Sequence, residues 1–317
     1  MLKNTVLIIG SVVFAVALVA GLFEGIASYR YDSWKAKFEE KGGLYGKLTI
    51  RSDNKVLMWQ YRPNAVGETR GTTIETNEHG FRDDSRAYDK RPGDLRIAFA
   101  GDSVTLGLGV DADAAFVRLF EREAASRVPP INVEAMSFAV GGYSAIQVLE
   151  LIRQSVIQFS PDIAVYVMCM NDFDFVHSSG QIMKYFEKPE NFFLRFLERV
   201  YAKFFVGHYY DHHFRKNKES VFAEILKLKA EMDDRGIDFR IVIMPIFEGD
   251  NSSSQYAILD MHTEIVTTLV DNEIPVVDLL GAFDSVDTQS QSYAFDDVHL
   301  NEAGHQVAAT RLVDELL

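Results

Sequence analysis

The chain has 317 residues, a net charge of −14 and a single cysteine, Cys169, with hydrophobic residues at 47% and charged residues at 25%. These figures support a packed core and exclude an intrachain disulfide scaffold. They also disfavour nucleic acid and anionic headgroups as partners, because the charge is acidic and no basic stripe stands out.

The chain opens on an apolar run. From Val6 to Phe23 no residue is charged, and Gly10, Ser11 and Gly21 are the only interruptions. About 18 residues at 1.5 Å rise span roughly 27 Å, close to the ~30 Å hydrocarbon core of a bilayer. A helix on the surface of a globular domain carries a polar face, and this one has none. Residues 1–28 therefore read as a transmembrane anchor or an uncleaved signal. Cleavage near Ala15-Val16-Ala17 is the competing reading, but the apolar run continues past it. A strict count of Lys and Arg sets Lys3 against Arg30, Lys35, Lys37 and Lys41, which would leave the main domain in the cytoplasm.

Residues 29–43 are polar and read as a stalk, or as a helix continuing out of the membrane. Residues 44–91 contain two short extended runs, Leu44–Ile50 and Val56–Tyr61, broken at Asp53-Asn54 and Arg62-Pro63-Asn64. They read as a small β-rich segment that either binds substrate or braces the main domain. Arg91-Pro92-Gly93 marks a boundary.

From residue 92 to 317 strand and helix patterns alternate. Short apolar strands are expected at Arg96–Ala100, Ile131–Met136, Ile163–Met168, Phe239–Met244 and Pro275–Val277. Helices are expected at Ala114–Ala125, Ser144–Gln158, Lys218–Asp233, Tyr256–Asp271 and Glu302–Leu317, with Ser144 as an N-cap. Uninterrupted apolar strands suit a parallel sheet buried on both faces. The expected fold class is α/β, a flavodoxin-like doubly wound parallel sheet with helices on both faces. Residues 173–217 break the alternation. Their many aromatics, with Arg195, Arg199 and Lys203 interleaved, read as a mainly helical insertion. Plain packing is the first reading of it, a lid the second, and a surface touching the bilayer is also open.

Four short motifs fall after strands or before the last helix, where open α/β sheets place their sites. Gly101-Asp102-Ser103 puts a serine on a tight strand-to-helix turn, although a serine there can simply cap a helix. Gly141-Gly142-Tyr143 can aim backbone N–H groups into a cleft. Asn171-Asp172 can supply a carboxamide donor. Asp296 and His299 set a carboxylate close enough to orient an imidazole, which a serine nucleophile needs as its base. His212 and His213, adjacent on a helix, point different ways and make a poor metal pair. His305 lies inside the terminal helix with no catalytic task, while His79, His177, His208 and His262 lack an arguable partner. Cys169, at an apolar strand end, reads as a small core residue.

Four blocks together carry a family resemblance: Phe99-Ala100-Gly101-Asp102-Ser103-Val104-Thr105-Leu106-Gly107, Ala139-Val140-Gly141-Gly142-Tyr143-Ser144, Met170-Asn171-Asp172, and Asp296-Asp297-Val298-His299-Leu300-Asn301 followed by Gly304-His305. In them the chain from about Leu95 to Leu317 resembles the SGNH (GDSL-like) hydrolases. The resemblance implies Ser103 as nucleophile, His299 as general base and then acid, and Asp296 as the residue that orients it. It also implies an oxyanion hole of the Ser103 and Gly142 N–H groups and the Asn171 side chain. The chain departs from the family pattern at Ser137, Ala139 and Cys169, all small residues, which bears on substrate fit more than on class.

The implied activity is cleavage of carboxylic esters, acyl or acetyl esters of a cell-envelope carbohydrate or lipid, with no metal or cofactor required. The catalytic domain is then expected on the extracytoplasmic side, against the charge count. An O-acetyltransferase on an envelope polysaccharide and a catalytically silent envelope-binding module are the alternatives. Transferases of this type often carry Asp-x-His in place of the Asp-x-x-His present here. The oligomeric state is not legible.

Overall fold

A computed structural model of the chain describes residues 2–40, 47–69, 71–175, 188, 190–201, 204, 209–247, 256, 258–284, 293–296 and 298–317. The apolar start forms one long helix, α1 (Leu2–Glu40), which takes in the uncharged run and residues 29–40 of the polar stretch expected as a stalk, residues 41–43 lying outside the described residues. From Leu7 to Ala36 it is long and apolar enough to cross a membrane, and none of its most apolar stretch is buried by protein.

Two antiparallel pairs come next. β1 (Thr49–Arg51) pairs with β2 (Trp59–Tyr61), and β3 (Val66–Thr69) pairs with β4 (Thr72–Glu75). β2 is shorter than the expected run Val56–Tyr61, because the chain before it is turned by Asn54, and the part of the expected run Leu44–Ile50 before residue 47 lies outside the described residues. The Asn54 Oδ1 accepts the N–H groups of Val56 and Leu57 at 2.8 and 3.2 Å. An Asx-type turn of this kind competes directly with strand pairing.

The main sheet holds β5 (Leu95–Gly101), β6 (Val133–Ala139), β7 (Ile163–Cys169), β8 (Asp238–Met244) and β9 (Val276–Asp278), in the order β6-β5-β7-β8-β9. Every pairing is parallel. This is the flavodoxin-like order, with its switch point between β5 and β7. All seven residues of β7 are buried, which explains why its sequence shows no polar alternation. The intervening helices are α2 (Phe116–Arg127), α3 (Ala145–Gln154), α4 (Phe192–Tyr201), α5 (Tyr209–Asp233), α6 (Leu259–Asp271), α7 (Leu280–Asp284) and α8 (Glu302–Leu316). α2 packs against α8 and β6, while α3 packs against α5, β5 and β7. Helices thus cover both faces of the sheet, as expected from the alternating pattern.

Several helices differ from the sequence reading at their ends; α6, for one, starts at Leu259 rather than Tyr256. α3 stops at Gln154, and a 3-10 turn, Val156–Phe159, carries the chain on to Ser160 in the left-handed region. α5 starts nine residues earlier than the amphipathic pattern suggested, at Tyr209. Its buried side, Phe214, Val221, Ile225, Leu228 and Met232, begins before the charged run Arg215–Lys218 that masked the periodicity. Of the aromatic segment 173–217, residues 176–187, 189, 202–203 and 205–208 lie outside the described residues.

Candidate active site

Because the central strands are parallel and in register, with Gly101 opposite Ala139 and Ala100 opposite Tyr166, the loops leaving β5, β6 and β7 emerge at one edge. Ser103 stands on the turn leaving β5. A Cβ at Gly101 would lie 2.1 Å from Thr105 Oγ1, so only glycine allows the chain to fold back this tightly. Asp102 is buried and holds the turn from inside. Its Oδ1 accepts the Val104 N–H at 2.8 Å and the Cys169 thiol at 3.6 Å. The turn therefore does not rest on Ser103 acting as a cap, and the Ser103 hydroxyl is left for another partner.

That partner is His299. The Ser103 Oγ lies 2.9 Å from His299 Nε2, although 196 positions separate the two in the chain. Both residues are buried to about nine-tenths. On the other side of the ring, His299 Nδ1 lies 2.9 Å from each carboxylate oxygen of Asp296. The same Asp296 Oδ1 accepts the backbone N–H of His299 at 2.8 Å and of Val298 at 3.1 Å. One carboxylate thus folds the loop and aims the ring. Farther out, the loop is clamped by an antiparallel bridge between Ala294 and Leu300, and by Asn301, which caps α8.

The oxyanion-hole candidates occupy the neighbouring strand ends. Gly142 sits in the left-handed region at φ +84, which a side chain would disfavour. A Cβ on the adjacent Gly141 would lie 3.8 Å from the Ser103 Cβ, so this loop runs beside the serine. Among the described residues neither the Ser103 nor the Gly142 N–H donates a hydrogen bond within the chain. Asn171 is half-buried in a 3-10 turn after β7, and its side-chain oxygen has no hydrogen-bond partner among the described residues.

The sequence reading missed what holds these loops. Tyr61, on β2, accepts the Gly141 N–H on its hydroxyl at 3.1 Å. The Tyr143 hydroxyl donates to the Trp59 carbonyl, and the two rings meet edge to face at 5.3 Å. Gln147 at the start of α3 donates to the Leu57 carbonyl at 2.9 Å. Arg82 is buried behind the loop after Ser103. Its guanidinium donates to the carbonyls of Leu106, Gly107, Val110 and Thr73 at 2.9–3.1 Å. Trp59, Tyr61 and Arg82 all come from the segment before the main sheet, and they brace the loops on both sides of Ser103. Arg82 follows Phe81 in a charged loop that also holds Arg86, so no local signal set it apart.

Other candidates fall elsewhere. Cys169 is buried, and burial, with Asp102 and Asp172 nearby, pushes its thiol well above the ordinary range. This is the setting of an inert core thiol. His305 is buried too, accepts the Phe116 N–H at 3.2 Å, and is lowered to about 3 by burial, Arg82 and His299, so it is a neutral structural residue. His262, left without a partner in the sequence reading, pairs with Asp278 at 2.9 Å. His212 and His213 do not diverge as expected. Their ring centroids are 5.1 Å apart, and with Glu198 their ligand atoms all lie within 4.8 Å of one another. Glu198 is already paired with Lys216 at 2.9 Å, so this cluster reads as a polar junction between α4 and α5.

A flavodoxin-type sheet with a serine, an imidazole and a carboxylate in line above its carboxyl edge has the layout of a serine hydrolase. Residues 99–307 match the model of the GDSL-like Lipase/Acylhydrolase family, well over half of the chain, and the chain belongs to that family. It is an enzyme of the esterase class. No curated protein matches it. Among solved structures it is similar to the acetyl xylan esterase AlAXEase, with 14% identity and a TM-score of 0.48 over 70% of this chain and 100% of that one. It is also similar to a catalytic mutant of Axe2, an acetylxylan esterase from Geobacillus stearothermophilus, with 18% identity and a TM-score of 0.47 over 72% of this chain and 96% of that one. A third likeness is to a putative lipolytic protein of the G-D-S-L family from Desulfitobacterium hafniense, with 10% identity and a TM-score of 0.44 over 70% and 99%. At these identities nothing about the substrate follows from them.

Proposed function

We propose that the chain is a membrane-anchored serine esterase working through an acyl-enzyme. The observation that carries this reading is the unbroken line from Ser103 Oγ through the His299 ring to Asp296, with every link at 2.9 Å. Ser103 attacks the ester carbonyl while His299 Nε2 takes the hydroxyl proton and Asp296 holds the resulting imidazolium. The tetrahedral oxyanion is received by the N–H groups of Ser103 and Gly142 and the Asn171 side chain, each contributing about 3 kcal/mol. His299 then returns its proton to the leaving alcohol, and a water deprotonated by the same ring releases the acid.

The substrate class is an acyl or acetyl ester of a carbohydrate or lipid at the cell envelope, reached by a catalytic domain outside the cytoplasm. Support comes from α1, which is long and apolar enough to cross a membrane, and from the family's ester chemistry. Full-length protein would be given an aryl acetate beside Ser103→Ala. Ester release lost in the variant, with fluorophosphonate labelling of the parent alone, is the expected result. Release that stays slow until a sugar acceptor is added would favour acyl transfer. A silent, unlabelled parent would overturn the reading in favour of a binding module.

A further inference from the structure

The helix α4 has two unlike sides. At 100° per residue, Phe192, Phe193, Leu194, Phe196, Leu197, Val200 and Tyr201 fall on one half of its circumference, and Arg195 and Glu198 on the other. An apolar half of this width normally faces a protein core. Here Leu194 is 61% exposed, Phe196 46%, Leu197 42% and Tyr201 54%, and Phe204 just beyond is 70% exposed. Leu194, Phe196 and Leu197 stay exposed among the described residues, while the Tyr201 ring meets that of His212 on α5 at 5.8 Å.

Besides its polar junction with α5, α4 touches α1, at the level where the uncharged run of α1 ends. The Phe23 ring lies 5.6 Å from that of Phe193 and 5.1 Å from that of Phe196. Glu24, the first charged residue after the run, accepts the N–H groups of Phe192 and Phe193 at 3.0 Å each. A carboxylate at the first turn of a helix satisfies donors that have no partner within the helix and complements its dipole. Glu24 therefore fixes the start of α4 to α1 at the end of the apolar run. Two turns farther along α1, Asp32 pairs with Lys188 at 2.7 Å, so the polar environment has returned by there.

From this placement we infer that α4 lies in the membrane interface beside α1, with Leu194 and Leu197 against lipid and Arg195 turned toward water, while Glu198 faces α5 through Lys216. The inference rests on the reading that α1 crosses a bilayer. A wide apolar arc opposite a charged one is what an in-plane interfacial helix requires. The occupant of the exposed arc is the same bilayer that α1 enters, because the arc continues directly from the apolar surface of α1. The seat is also tied to the site. α5 comes after α4, Asn217 on it donates to the Phe173 carbonyl at 2.7 Å, and Phe214 meets the Phe173 ring at 5.0 Å. Phe173 closes the turn that carries Asn171. The membrane contact is thus continuous with one wall of the candidate active site.

Full-length protein in phosphatidylcholine vesicles tests this. An environment-sensitive dye is placed on Leu197→Cys, on Val13→Cys within α1, and on Leu226→Cys on the exposed side of α5; native Cys169 is buried and does not compete for the label. The expected result is loss of emission at positions 197 and 13 with lipids brominated on their acyl chains, and none at 226, where aqueous iodide quenches instead. Iodide quenching at 197 with lipid quenching at 13 would overturn the seat and leave the anchor standing. Shielding of 197 from both quenchers would overturn it in favour of a protein contact. Iodide quenching at 13 would overturn the anchor, and the seat with it.

Discussion

The Tyr61 hydroxyl accepts the Gly141 N–H at 3.1 Å, so a residue of the segment before the main sheet fixes the loop that carries Gly142. If that bond sets the direction of the neighbouring Gly142 N–H, Tyr61→Phe will weaken transition-state stabilisation without loosening the fold. The loss of about 1 kcal/mol for one hydrogen bond corresponds to a decrease in kcat of roughly fivefold. Steady-state kinetics with an aryl acetate, run beside a melting curve, would show kcat falling while KM and Tm stay near the parent. An unchanged kcat would mean that Tyr61 only fills space.

Arg82 reads differently, because four backbone carbonyls depend on it. Arg82→Met keeps much of the buried stem and removes every donor. Each carbonyl left buried without a partner costs about 1–3 kcal/mol, so the variant should lose several kcal/mol of stability and much of its activity. Denaturant unfolding would detect the first and ester hydrolysis the second. Arg82→Lys, with fewer donors and no planar fork, should recover only part of either.

The fold and the three residues in line were legible in the sequence for a physical reason. Parallel strands buried on both faces write themselves as apolar runs, and β7 is the plainest case. Gly101, Gly142, Asn171 and Asp296 each sit where a chain turns at a strand end or ahead of a helix, and turns restrict residue type strongly. The bracing was not legible. Tyr61 and Arg82 act on residues far away in the chain, and nothing in local periodicity reveals a tertiary hydrogen bond. The starts of α4 and α5 were hidden likewise, since charged residues and His212-His213 interrupt the apolar spacing that packing later selects.

A pH dependence of stability arises from Asp172. It is fully buried, and burial together with the nearby Asp102 carboxyl raises its pKa well above the ordinary carboxylate range. Tyr166 donates to it at 2.7 Å and the Cys169 N–H at 3.1 Å. The folded state therefore keeps a proton there that the unfolded chain releases above about pH 3.9. Its contribution is fully present below that pH and is lost as pH rises through the raised folded value. Asp172→Asn keeps an acceptor for both donors and cannot ionise. Urea unfolding from pH 4 to 8 should show the parent losing stability relative to the variant as pH rises, and parallel curves would refute the assignment.

Asp296→Asn separates the two tasks assigned to that carboxylate. Asparagine retains an oxygen that can accept the backbone N–H groups of Val298 and His299, now bonded at 3.1 and 2.8 Å, so the loop should keep its shape. What changes is the group facing His299 Nδ1. An amide N–H there favours the tautomer with its proton on Nε2, which cannot accept the Ser103 proton, and it no longer stabilises an imidazolium. The expected outcome is a decrease in kcat on the order of 10⁴-fold with Tm little changed, as for an orienting carboxylate replaced in a serine protease. Asp296→Ala removes the backbone acceptor as well and should add a loss of thermal stability. If Asp296→Asn retained most of the parent's kcat, the carboxylate would be a loop-folding residue alone, and His299 would have to be oriented by something else.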